Sequence, residues 1–208
     1  MVEIAFVAIA GLLGYWLGRY RSYCLQNRGE ALVARCLSEA FSAPEFHLLN
    51  NVTLRVKDGT TQIDHILVSR HGIFVIETKD YKGWIFANPK HPTWAQVIFK
   101  RKYKFQNPIY QNFKHVLAVQ RLLDFLPKET ISSVVVFAGK AEFKTPLPEG
   151  VYTINSLLGH IRSQNVILLS ENRMQFCVGR LETARLALTK KTDVQHRESL
   201  QRRFGDTT

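Results

Sequence analysis

Asp64, Glu77 and Lys79 interrupt two otherwise apolar runs that are joined by Arg70-His71-Gly72. Two carboxylates brought together beside Ile66, Val75 and Ile76 repel each other and lose hydration, which is costly unless a cation neutralises them. A hard dication, Mg²⁺ or Mn²⁺, takes oxygen ligands and keeps several waters. Asp64 and Glu77, with a carbonyl and a substrate phosphate, would satisfy it. Lys79 lies two residues beyond Glu77 and so shares its side of a strand. There it would orient or help deprotonate an attacking water, or steady the charge developing on phosphorus. That chemistry is phosphodiester hydrolysis. The same pattern also fits a surface hairpin whose lysine forms ordinary ion pairs with one or both acids.

The elements that must hold these groups follow from periodicity. Ile63 to Ser69 and Ile73 to Thr78 form a hairpin around His71-Gly72. With His71 and Gly72 as the turn, Asp64 faces Lys79; a register shifted by two residues sets it opposite Glu77. Both registers gather the three groups on one face, because side chains alternate with period two. His65 then falls on the other face. An earlier strand, "FHLLNNVTLRV", ends at an Asp58-Gly59 turn, and "NRGEALVARCLSEAF" carries a helical stripe of Leu32, Val33, Cys36, Leu37 and Ala40. Beyond the hairpin, Trp84 and Trp94 mark a packed corner and a further hairpin. Pro108 opens a one-sided helix, "ISSVVVFAG" reads as a buried strand, and Asn155 caps a later helix.

The 208-residue chain carries a formal charge of +11, which favours nucleic acid or an anionic membrane surface as partner. From Tyr81 to Leu123 there is no Asp or Glu, whereas Lys82, Lys90, Lys100, Arg101, Lys102, Lys104, Lys114 and Arg121 supply eight positive charges. Lys100, Arg101, Lys102 and Lys104 interleave with Tyr103 and Phe105, a mixture suited to tracking phosphates while rings stack or pack. A solvated basic face has the same composition. Cys24, Cys36 and Cys177 have no zinc-binding spacing and read as reduced thiols.

"VEIAFVAIAGLLGYWLG", residues 2–18, is almost wholly apolar and is followed by Arg19 and Arg21. As a helix it reaches roughly 25 Å, slightly short of the ~30 Å hydrocarbon layer, with Tyr15, Trp16 and Tyr20 suited to the interface. Glu3 and the bulky residues after the run argue against a cleaved signal peptide. Residues 1–21 are therefore expected to be a single-pass anchor in the cell (inner) membrane; a run this short also fits a buried core helix. The positive charges that follow keep the rest of the chain in the cytoplasm.

Three stretches, "GEALVARCL", "QIDHILVSRHGIFVIETKDYKGWIF" and "NPIYQNFKHVLAV", resemble the nuclease-related domain (NERD) family of the PD-(D/E)xK restriction-endonuclease-like superfamily. The resemblance covers about residues 28–138 and leaves 139–208 as a C-terminal extension of strands and helices. It implies an α/β (α+β) fold: a central mixed sheet flanked by helices, here preceded by the transmembrane helix. It also implies that Asp64, Glu77 and Lys79 are the D, E and K of the signature, that Glu30 adds an acid from the first helix, and that Gln111 joins them. Ile63 stands where the signature has proline. Helix spacing lays His115 on the side of Gln111.

The resulting expectation is a membrane-anchored, Mg²⁺- or Mn²⁺-dependent nuclease acting on nucleic acid, DNA ahead of RNA. Asp64 and Glu77 hold the metal, and Lys100, Arg101, Lys102, Lys104, Lys114 and His115 contact the polyanion. The alternatives are a tethered module that binds nucleic acid without cutting it, and a basic stretch that binds anionic lipid beside the anchor.

Overall fold

A computed structural model describes residues 28–187. The chain opens with helix α1, 28–40, and a three-stranded antiparallel meander of β1 (Phe46–Val56), β2 (Gly59–Ser69) and β3 (Gly72–Lys79). Then come β4 (Gly83–Phe86), β5 (Thr93–Ile98), β6 (Arg101–Gln106), α2 (Pro108–Leu122), β7 (Ile131–Phe137), β8 (Ala141–Phe143), β9 (Val151–Thr153), α3 (Ile154–Arg162) and α4 (Glu171–Ala184). Helices and mixed sheets make this an α+β fold. The strands form two sheets, not the single one expected: five strands in the order β1-β2-β3-β7-β9 and four in the order β6-β5-β4-β8. Segments beyond residue 138 supply strands to both sheets.

The larger sheet is covered on both faces. Ile73 and Val75 of β3 pack with Val116, Val119 and Leu123 of α2 and with Met174, Cys177 and Leu181 of α4. Phe74 and Ile76, of opposite parity, pack with Val33, Leu37 and Phe41 and with Leu157 and Ile161 of α3. This double burial explains why β3 is buried at every position and why its run lacks polar alternation. The smaller sheet packs Ile85 and Trp94 on Val135 and Phe137 at the end of β7. That end is thus roofed by the small sheet where α2 begins.

α2 is tied to the sheet at two levels. Asn107 caps it, accepting from Ile109 N at 2.9 Å, and its side-chain nitrogen donates to the Pro89 and His91 carbonyls at 3.2 and 2.8 Å. The wholly buried Asn112 donates to Val75 O, Ser133 Oγ and Val134 O at 2.9, 2.9 and 3.0 Å, which fixes the rotation of the helix over β3 and β7. The α3 cap is Thr153, in a capping box with Ser156, so Asn155 is already inside the helix. The expected span over residues 1–21 lies outside the described residues. Among those described, no helix is long and apolar enough to cross a membrane.

Candidate active site

The β2–β3 turn is Arg70-His71, with Ser69 paired to Gly72, so the register is the shifted one. Gly72 takes φ +134°, and a Cβ there would meet the Thr130 carbonyl at 3.1 Å. The ladder ends at His65 and Ile76, one step before Asp64 and Glu77 would pair. On the other side of β2, pairing runs through Asn50–His65 and Val52–Ile63 but skips Asn51 and Asp64. Asp64 therefore stands outside both ladders, and its freed carboxylate oxygen Oδ2 accepts the Thr78 N–H at 2.7 Å.

A backbone feature coincides with this opening. Asn51, opposite Asp64, has φ +53°, a left-handed conformation that Asn tolerates better than bulkier residues. Leu49 and Val52 both join the core beneath α2, as do Ile63 and Ile66, although strict alternation would separate each pair. Both strands thus change phase at the same level. The expectation of uninterrupted period two holds on either side of this point and fails at it.

Glu77 and Lys79 share the face of Val75 and point toward α2. Lys79 Nζ donates to Glu77 Oε1 at 2.6 Å and to Gln111 Oε1 at 3.0 Å. His115 Nε2 lies 3.2 Å from Glu77 Oε2, within charge attraction but off hydrogen-bond alignment, so neither atom has a hydrogen-bond partner among the described residues. On the other side of the ring, His115 Nδ1 and the Thr61 hydroxyl are hydrogen-bonded at 2.7 Å. The chain of contacts runs Thr61, His115, Glu77, Lys79, Gln111.

Glu30 reaches the site because α1 comes in close. A Cβ on Gly29 would lie 2.5 Å from Asp80 Cβ, so only glycine admits this approach. Burial, then the charge of Glu77, raise Glu30 to a pKa of about 7, with Lys79 opposing. Burial likewise pushes Asp64 well above the carboxylate range, aided by Glu77 and Glu30 and opposed by the Thr78 N–H and Lys79. For Glu77, burial acts upward, but the Lys79 ammonium and His115 outweigh it and hold the carboxylate below its ordinary value. Lys79 goes up despite burial because Glu77 faces it. The three acids therefore divide into one compensated group, Glu77, and two under repulsive load.

Asp64, Glu77, Lys79, Glu30 and Gln111 thus come together by contact or mutual field. His115 joins them, buried against Glu77 and away from the basic strand. Lys100, Arg101, Lys102 and Lys104 lie exposed at the β5–β6 turn and along β6, and Lys114 is exposed on α2. His65 donates from Nδ1 to Asn50 Oδ1 at 2.7 Å, and burial lowers it to about 4, so it sits neutral in the sheet. Thr61, Asn112 and Asn51 were not expected from the sequence. Asn112 was legible in principle, as a polar residue on the apolar stripe of α2.

The oxygen-rich acid set suits a hard dication. Burial combined with repulsion at Asp64 and Glu30 leaves a charge deficit of the sign that such an ion relieves. No cluster of three or more metal-ligating side chains is formed among the described residues, so Asp64 and Glu77 would act with water and substrate oxygens.

Residues 25–138 match the family model described as nuclease-related domain, NERD. An uncharacterized Bacillus anthracis protein, pXO1-01, is 46% identical over 97 residues, 46% of this chain and 45% of that protein, so the match spans less than half of either. A crystal structure of a protein of unknown function, AF1548, aligns over 88% of this chain and 100% of its own at 15% identity and a TM-score of 0.31. The family match covers more than half of the sequence and contains every acid, the lysine and the glutamine of the cluster, and the chain belongs to the nuclease-related domain family of the restriction-endonuclease-like superfamily.

Proposed function

We propose that this chain is a divalent-metal-dependent nuclease that hydrolyses phosphodiester bonds of nucleic acid, DNA in preference to RNA. The observation that carries this reading is the convergence of the Asp64 and Glu77 carboxyls with the Lys79 ammonium in one buried cluster. Asp64 and Glu77 would hold Mg²⁺ or Mn²⁺, which when bound supplies Lewis acidity toward the scissile phosphate. Lys79, as a hydrogen-bond donor fixed by Glu77 and Gln111, steadies negative charge developing on the phosphoryl oxygens. Thr61 holds the His115 ring, which sets Nε2 3.2 Å from the Glu77 carboxylate. The apolar segment 2–18 would tether this activity to the inner membrane with the domain on the cytoplasmic side.

Incubating the chain with linear, circular and single-stranded DNA and with RNA, in Mg²⁺, Mn²⁺ or EDTA, tests the reading. Products are expected only with metal, and Asp64→Ala or Lys79→Ala should reduce them by about 10²–10³-fold or more. A folded chain that makes no products in any metal overturns it. One observation favours a second reading, a module that binds without cutting: both Glu77 oxygens already have a cationic or polar neighbour, Lys79 and His115.

A further inference from the structure

Trp84 and Trp94 have opposite fates in the small sheet. Trp94 is 2% exposed and packs inward with Ile85 on Phe137, whereas Trp84 is 47% and Phe86 39% exposed. Pairing places Trp84 beside Val97 and Val97 beside Lys102, and in the next row Phe86 beside Ala95 and Ala95 beside Lys104. The outward face of β4-β5-β6 is therefore two parallel rows, each running from an aromatic ring through a small apolar residue to a lysine. Strand β8 braces the Trp84 ring: its neighbour Glu142 pairs with Lys144, whose ammonium lies 4.7 Å from the ring centroid.

We infer that this face binds a single-stranded stretch of nucleic acid, with neighbouring bases stacked on Trp84 and Phe86 and their phosphates on Lys102 and Lys104. The inference rests on nucleic acid being the partner and adds the class of substrate. Exposed rings interleaved with cations are the means by which proteins hold single strands without sequence preference. Residues two apart on a strand set the attachment points of the two rings about 6.7 Å apart, twice the ~3.4 Å rise of stacked bases. Only bases that have unstacked can occupy both, and a duplex keeps its base faces covered. The charge fits as well, since β4, β5 and β6 carry no acid and the carboxylate beside Trp84, Glu142, is paired with Lys144. Trp84 follows Lys79 by five positions, so the backbone at Trp84 lies within roughly 18 Å of that at Lys79. An unpaired tail held there would place the adjoining phosphodiester near the acids.

The test is binding of the full chain to labelled oligothymidylate and to a duplex of equal length, in EDTA so that cleavage does not intervene. Trp84→Ala and Phe86→Ala should each weaken oligothymidylate binding roughly 5- to 150-fold and leave duplex binding unchanged, with Trp84→Tyr retaining most of the affinity. Lys102→Ala and Lys104→Ala should each reduce the salt dependence of single-strand binding by about 0.7 in log–log slope. Unchanged oligothymidylate affinity in both aromatic variants, with native circular dichroism, overturns the inference. So does Trp84-dependent capture of phosphatidylserine vesicles without oligonucleotide binding, which would assign the face to a lipid surface. Metal-dependent cleavage with no single-strand preference sinks this inference alone. Trp84-dependent single-strand binding without cleavage in any metal supports it and sinks the nuclease reading.

Discussion

Lys79 and Lys102 both sit on strands beside aromatic and aliphatic residues, yet one is buried against a carboxylate and the other stands in solvent. Around Lys79 each charge is answered by a named group: Glu77 by Lys79 and His115, Lys79 by Glu77 and Gln111. On the outer face of the small sheet the lysines need no such answer, because water solvates them. Charge in the crevice is thus coupled to folding, whereas charge on the platform is coupled only to ligand binding. The two regions should separate under mutation.

The largest separation is expected from Lys79→Ala. It leaves Glu77 buried without its ammonium and should cost about 3–5 kcal/mol in urea unfolding, besides lowering cleavage by about 10²–10³-fold or more. Asn51→Val comes next. A β-branched residue at φ +53° should cost about 1–2 kcal/mol, and cleavage should fall with it as β1 straightens beside Asp64, while Asn51→Gly keeps both.

Glu30→Gln should act more weakly and with a defined sign. The folded pKa of about 7 exceeds the ordinary 4.5, so the contribution of Glu30 to stability is full below about 4.5 and is lost as pH rises through about 7. Urea unfolding without metal should therefore show the variant gaining on the wild type between pH 5 and pH 8; equal pH profiles would contradict this. The smallest effect is Lys102→Ala with Lys104→Ala, which should stay within about 0.5 kcal/mol of wild-type stability and change only affinity for polyanions. If the platform pair destabilises as much as Lys79→Ala, the contrast between the regions fails.

The sequence made much of this legible where one rule sufficed. The order helix, three strands, helix, strand followed from periodicity, and two acids with a lysine inside apolar runs marked the cluster. The second sheet was not legible, because Pro89, Pro92 and the short β4 and β8 carry too few alternating positions to reveal which edges pair. The choice of register depended on a turn at Arg70-His71, where no glycine occupies either turn position. The phase change at Asn51 and Asp64 was hidden too, since it requires both strands to slip together and Asn is at home in many settings. His115 was placed on the correct helix side by spacing, but its burial against Glu77 depends on Asn112 fixing the rotation of α2.

Asp64 and Glu77, forced together in a buried site, are proposed to take up a dication. Calorimetric titration of the full chain with Mn²⁺ tests it most directly. Saturable uptake by the wild type, lost in Asp64→Asn while that variant stays folded, is the expected result. No uptake by the wild type, or equal uptake by both proteins, would contradict it.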